Sequence, residues 1–167
     1  MGSMNNQKII GISGYSGSGK TTLLKKIIAL LVEQNFKVGS IKHAHHDIEV
    51  DIPGKDSYEL RKAGSLQTIV ACDKRYAVFH ETPNKPTDLI TLINQFNDID
   101  IILIEGFKHE KIPKIICHRK TNKKALYIDE FTIAVASDEP LTTSLPVLDI
   151  NHPLQIVEFI KNYLFKQ

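Results

Sequence analysis

The stretch Gly14-Tyr15-Ser16-Gly17-Ser18-Gly19-Lys20-Thr21 decides the fold. It fits the pattern G-x-x-x-x-G-K-[ST] and follows an apolar β-branched run, Ile9, Ile10 and Ile12. Beyond it, Leu24, Ile27, Ile28 and Leu31 recur at the spacing of a helix. The motif is therefore expected on a strand-loop-helix corner. Glycines without Cβ let consecutive backbone N–H groups turn inward on an anion, and the helix that follows adds its positive end. Lys20 is placed to reach the β- and γ-phosphates of a nucleotide, and Thr21 to ligate Mg²⁺. Gly14, Ser16, Gly17, Ser18, Gly19, Lys20, Thr21 and Thr22 are the expected nucleotide-binding residues. A plain glycine turn would have no use for the adjoining Lys-Thr pair.

Outward from this corner, apolar runs alternate with helical patterns. Strands are expected at Lys8–Ser13, Val38–His43, Leu66–Ala71, Ala77–Glu81, Ile99–Glu105, Lys114–His118, Thr132–Ser137 and Pro146–Ile150. Helices are expected at Lys20–Gln34, Ser57–Ala63, Thr87–Phe96 and His152–Phe165. Asp56-x-x-Glu59 reads as a capping box, Gly64 as a helix stop, and Asn151 as an N-cap ahead of Pro153. The continuous run Ile101-Ile102-Leu103-Ile104 suits a strand buried on both faces. The fold class is α/β, P-loop NTPase-like, with a mostly parallel sheet flanked by helices. Residues 66–81 break the alternation, because two strand runs meet at Asp73-Lys74-Arg75 with no room for a helix; they predict an antiparallel hairpin.

The chain has 167 residues, which suits one nucleotide-binding domain over residues 4–167. Met1-Gly2-Ser3 ahead of Met4 reads as a cloning remnant. A net charge of +2, with basic residues scattered among acids, is too mild for a nucleic-acid binder. Cys72 and Cys117 form neither a disulfide framework nor a zinc motif, which favours a reducing cytoplasm. No apolar run is long enough to span a bilayer.

Three further blocks carry chemistry. Asp100-Ile101-Ile102-Leu103-Ile104-Glu105-Gly106 is a buried strand ending in an acid. Asp100 begins the strand and lies at the wrong end, whereas Glu105 finishes it beside the phosphates, so Thr21 and Glu105 are the expected Mg²⁺ partners, the other reading of Glu105 being an ordinary strand-end acid. The run Lys42-His43-Ala44-His45-His46-Asp47 follows the second strand, on the side where open α/β sheets take ligands. His43, His45, His46 and Asp47 read as a polar loop near phosphate or a second substrate, or as a metal pair from His43 and His45, or as solvated loop residues. In Asp51-Ile52-Pro53-Gly54-Lys55-Asp56-Ser57, the polar residues Asp51, Lys55, Asp56 and Ser57 suit a loop closing over a γ-phosphate. A capped turn explains that block equally well.

These blocks, with Ala63-Gly64 and Ile104-Glu105-Gly106-Phe107-Lys108, together resemble the molybdopterin-guanine dinucleotide biosynthesis protein B (MobB) family. The resemblance implies a GTP-binding adaptor with Mg²⁺ as cofactor and at most slow hydrolysis. Its implied partner is MobA, the guanylyltransferase that joins GMP to molybdopterin, and it admits molybdopterin as a ligand. It also implies a homodimer with β-strands at the interface, for which the hairpin around Asp73–Arg75 is the expected contributor through its open edge. The guanine-reading motif N-K-x-D is missing, since Asn122-Lys123-Lys124-Ala125 lacks the acid. By topology Ser137 and Asp138, at the end of a later strand, take its place. No catalytic residue is identified.

Two other readings share the loop. A small-molecule or nucleotide kinase would bring lid arginines to the transferring phosphoryl group, and this chain has only Arg61, Arg75 and Arg119, unclustered. An interaction domain with a vestigial loop would have no need of the intact Gly17, Gly19, Lys20 and Thr21.

Overall fold

A computed structural model describes residues 7–44 and 48–166. These form two compact units, one running to His43 and resuming at Ile93, the other Ala44–Leu92.

The larger unit is built on a six-stranded sheet. Its strands are β1 (Lys8–Ser13), β2 (Val38–Lys42), β5 (Ile101–Glu105), β6 (Lys114–His118), β7 (Thr132–Ser137) and β8 (Val147–Asp149). The spatial order is β2-β5-β1-β6-β7-β8, and every pairing is parallel. Chain order reverses across β1, with β2 and β5 on one side and β6 to β8 on the other; that reversal point is where open parallel sheets bind ligands. Helix α1 (Lys20–Glu33) buries Leu23, Leu24, Ile27 and Leu31, and α4 (Pro153–Phe165) buries Ile156, Val157, Ile160 and Leu164. Both stripes join Ile10, Ile12, Leu103, Ile115 and Ala136 in one core. All five residues of β5 are buried, as a two-faced strand requires.

Gly39 is required by packing on β2. A Cβ there would lie 2.7 and 2.8 Å from ring carbons of Phe96 and 3.2 Å from Ile99. Gly39→Ala is expected to cost about 1–3 kcal/mol through overpacking, read as a lowered urea midpoint at unchanged slope.

The smaller unit contains α2 (Asp56–Lys62) and a hairpin of β3 (Gln67–Cys72) and β4 (Arg75–His80), antiparallel from Gln67↔His80 to Cys72↔Arg75. The expected hairpin is thus present, and Ile69, Val70, Tyr76 and Val78 on it are exposed. Arg61 is its polar node. That guanidinium donates to Glu49 and Glu81, each at 2.8 Å, and lies 5.0 Å from the Phe79 ring centre. Its pairing with Glu49 is the leading reason that the Glu49 carboxyl stays below its ordinary range.

The ends of the helices differ from expectation. The Asp56–Glu59 capping box does not form: Lys55 takes the N-cap position without a side-chain bond, and both acids fall in the first turn, where they suit the helix dipole. His152, not Asn151, is the N-cap of α4. The expected helix at Thr87–Phe96 contracts to α3 (Leu89–Ile93), started by the Asp88 carboxylate, which accepts the Thr91 N–H at 2.8 Å. Gly64, at φ +110°, stops α2 as read.

Candidate functional site

The loop between β1 and α1 is shaped by its glycines. Gly14 has φ +141°, and a Cβ there would lie 2.5 Å from the Cys117 carbonyl oxygen, so no larger residue fits. Gly17 and Gly19 also adopt positive φ, at 79° and 85°. Gly19 caps α1 with backbone alone, and the first turn of that helix contains no acid. The positive end of α1 thus has no acidic side chain of its own in that turn, an arrangement that suits an anion. Inside the loop the buried Ser18 hydroxyl has no hydrogen-bond partner among the described residues. An orphaned buried hydroxyl costs about 1–3 kcal/mol, which a bound oxyanion would offset.

Lys20 opens α1, and its Nζ donates to the Tyr15 carbonyl at 2.8 Å, holding the ammonium across the loop. The Thr21 hydroxyl stands 2.9 Å from each carboxylate oxygen of Glu105, which is 7% exposed. Hydroxyl and carboxylate oxygens are the hard ligands that Mg²⁺ prefers, so the pair fits that cation. Asp100 lies at the opposite end of β5, where its carboxylate accepts the Lys37 N–H at 2.7 Å. Position along the strand thus separates the two acids as expected.

Two contacts beside Glu105 come from the run that opens at Lys42. Lys42 pairs with it in register across β2 and β5, and its Nζ lies 3.5 Å from Oε1. His43 donates its backbone N–H to the Glu105 carbonyl at 2.9 Å and sets its ring 4.4 Å from Phe107. Gly106, at φ +93°, makes room for that packing, since a Cβ would come within 3.0 Å of His43 Cβ. His45, His46 and Asp47 lie outside the described residues, and with them the His43–His45 metal pair. Among the described residues no group of three or more His, Cys, Asp or Glu could hold a metal ion.

On the other side of the loop, the segment after β6 is fastened to it. Asn122 Nδ2 donates to the Ser16 carbonyl at 3.3 Å, and the Lys124 ammonium lies 4.9 Å from the Tyr15 ring centre. Asp138, at the end of β7, accepts the Lys120 N–H at 2.8 Å and lies 3.4 Å from Arg119 Nη1. The Lys120 bond chiefly holds its carboxyl below the ordinary range, against desolvation and with help from Arg119. Ser137 Oγ donates to the Glu139 carbonyl at 2.8 Å and accepts the Glu139 N–H at 3.1 Å. Both guanine candidates therefore stand at the same end of the sheet as the phosphate loop. The Cys117 thiol beneath the loop is pushed up to about 12 by burial, too high for a nucleophile.

In the smaller unit Asp51 and Ser57 meet, the hydroxyl donating to the carboxylate at 3.1 Å. The Ile52 N–H donates to the same oxygen at 2.8 Å, while Lys55 and Asp56 are exposed. Burial works against ionisation of Asp51, yet these bonds and Arg61 keep its carboxyl below the ordinary range.

Comparison with known proteins agrees with this geometry. The family model for molybdopterin guanine dinucleotide synthesis protein B matches residues 9–138. A molybdopterin-guanine dinucleotide biosynthesis adapter protein of Haemophilus influenzae is 50% identical, covering 96% of this chain and 92% of its own length. Its Escherichia coli counterpart is 47% identical over 95% of this chain and 94% of its own. The crystal structure of Bacillus subtilis MobB superposes with a TM-score of 0.77 at 29% identity, covering 96% of this chain and 99% of that one. With a phosphate loop, an acid-tipped neighbouring strand and kinship over nearly its whole length, the chain belongs to the molybdopterin guanine dinucleotide synthesis protein B family.

Proposed function

We propose that this protein binds GTP with Mg²⁺ and acts as an adapter in molybdopterin-guanine dinucleotide formation. Its partner in this reading is the MobA-type guanylyltransferase that joins a GMP unit to molybdopterin. The observation that carries the nucleotide part is the Thr21–Glu105 pair at 2.9 Å, a hydroxyl and a carboxylate gathered beside a glycine loop. The adapter part draws on the relatives, which bear that description.

Each residue has a task. Backbone N–H groups from Gly17 to Thr22 and the end of α1 receive the phosphates. Lys20 exchanges the Tyr15 carbonyl for a phosphate oxygen, and Thr21 and Glu105 would hold Mg²⁺, which would supply neutralisation of phosphate charge. Asp138 meets the guanine edge, and the loop from His43 to Ser57 responds to the γ-phosphate or to molybdopterin. No group is assigned to position an attacking water, so hydrolysis is slow. The working form is a cytoplasmic homodimer joined through the exposed strands β3 and β4. No described helix is long and apolar enough to cross a membrane.

Calorimetric titration with GTP and ATP in Mg²⁺, together with co-purification of the guanylyltransferase, tests the proposal. GTP is expected to bind about tenfold tighter than ATP or better, a difference of roughly 1.4 kcal/mol. Equal or tighter binding of ATP with no partner association would sink it.

A further inference from the structure

Lys42 closes β2 and is the register partner of Glu105, which closes β5, so the two side chains leave neighbouring strands at one level. The Glu105 side chain is 9% exposed, and a carboxylate so withdrawn from water needs both hydrogen bonds and a countercharge. Thr21 meets the first need: its hydroxyl lies 2.9 Å from each carboxylate oxygen, but it brings no net charge. Lys42 meets the second, with Nζ 3.5 Å from Oε1.

The lysine is held loosely. Its distance exceeds the roughly 2.7–2.9 Å of a charge-assisted hydrogen bond, and 60% of its side chain is exposed. An ammonium on a flexible four-carbon stem leaves such a position readily. A divalent cation makes the stronger claim on the same oxygen: Mg²⁺ binds oxygen at about 2.0–2.1 Å, and its double charge repels an ammonium sharing that atom. With neither cation in place, a bare carboxylate would face the phosphates that the glycine loop receives, and like charges at that range oppose binding. One negative group thus has two alternative partners, one built into β2 and one from solution.

We propose that Lys42 stands in for the metal: it neutralises Glu105 while the site is metal-free, keeping the loop receptive to the phosphates of a nucleotide, and yields the carboxylate to Mg²⁺. Lys42 is then a positioning residue, acting through Glu105 and not on phosphate itself. The inference rests on the GTP and Mg²⁺ reading above, and it gives a task to the residue that opens the His-rich run.

The test is calorimetric titration of GTP into wild type, Lys42→Met, Glu105→Gln and the double variant, each in chelator and in Mg²⁺. Melting of the ligand-free proteins reports on folding. Lys42→Met is expected to bind GTP about 5- to 20-fold more weakly in chelator, where Glu105 is left uncompensated, and within about twofold of wild type in Mg²⁺. Loss of a metal ligand gives the reverse pattern. Glu105→Gln should bind GTP in chelator at least as tightly as wild type but lose the gain from Mg²⁺. The double variant, with neither charge, should return to within about twofold of wild type in chelator, a coupling that independent residues do not show. Three results overturn the inference: an equal loss in Lys42→Met under both conditions, which marks a direct phosphate contact; no loss in either; or a loss in chelator that adding Glu105→Gln does not repair. Each of these leaves the nucleotide site standing. Wild type that binds GTP in neither condition, or gains nothing from Mg²⁺, overturns the reading on which the inference rests.

Discussion

Replacing Lys114 with alanine is expected to remove about 3–5 kcal/mol of folding stability, the range seen when one partner of a buried ion pair is deleted. Lys114 is fully buried at the start of β6, an unusual place for an ammonium. Its Nζ donates to the Lys108 carbonyl at 2.8 Å, the Glu110 carbonyl at 2.7 Å and Asp129 Oδ2 at 2.9 Å. One cation thereby ties the segment after Glu105 to the segment before β7. Gly11 makes room for it, since a Cβ there would lie 3.0 Å from Lys114 Cβ. Alanine would leave three acceptors unpaired and a cavity where the stem had been. The double variant Lys114→Met with Asp129→Asn should recover part of the loss, because it removes the orphaned charge and fills the space. Urea titration of the three proteins reads both effects, and a midpoint for Lys114→Ala equal to wild type would contradict the account. The pair also predicts an acid limb. Desolvation opposes ionisation of Asp129, but its bonds to Lys114 and Thr132 prevail and hold the carboxyl below its ordinary value. A depressed carboxyl contributes its stability in full above the unfolded value, about 3.9, and loses it as pH falls through the folded value. The stability gap between wild type and Asp129→Asn should close over that acid window.

What the sequence made legible follows from where physical chemistry writes a repeating signal. Apolar runs announced the eight described strands, most plainly β5, which is buried on both faces and so must be apolar throughout. The place of Glu105 was legible because it closes such a run at the end beside the glycine loop, and Asp100 was set aside for opening it. Helix ends were less legible. Asp56 can act as an N-cap or sit in a first turn, and the choice of Lys55 as cap depends on the backbone of the preceding loop. Helix α3 lost about half its expected span because periodicity marked its apolar face without marking where the chain leaves it. Lys42, Arg119 and Lys114 were least legible. A lone basic residue has no period, and all three gain meaning only when parallel pairing brings distant strand ends together: Lys42 beside Glu105, Arg119 beside Gly19, Lys114 beside Asp129. The strand-end rule that singled out Glu105 also applies to Lys42, and it would have found that residue had it been applied to cations.

Lys20→Ala is expected to weaken GTP binding by about 2–5 kcal/mol, roughly 30- to 4,000-fold, while the melting temperature of the free protein barely moves. The two halves of this expectation have separate causes. The loop is shaped by the positive φ of Gly14, Gly17 and Gly19, and α1 is anchored by Leu23, Leu24, Ile27 and Leu31, none of which Lys20 supports. Its one bond, to the Tyr15 carbonyl, is local and leaves that oxygen able to take water. In the complex the same ammonium faces phosphates, where a missing cation leaves concentrated negative charge uncompensated. Titration with and without Mg²⁺ separates this role from that of the metal partners. Lys20→Ala should weaken GTP under both conditions, because the lysine acts directly on phosphate. Thr21→Ala should match wild type in chelator and fall behind only when Mg²⁺ is added, because its hydroxyl, 2.9 Å from both Glu105 oxygens, acts through the cation. Tight GTP binding by Lys20→Ala would remove the phosphates from this loop, and a Mg²⁺-independent defect in Thr21→Ala would remove the metal from Glu105.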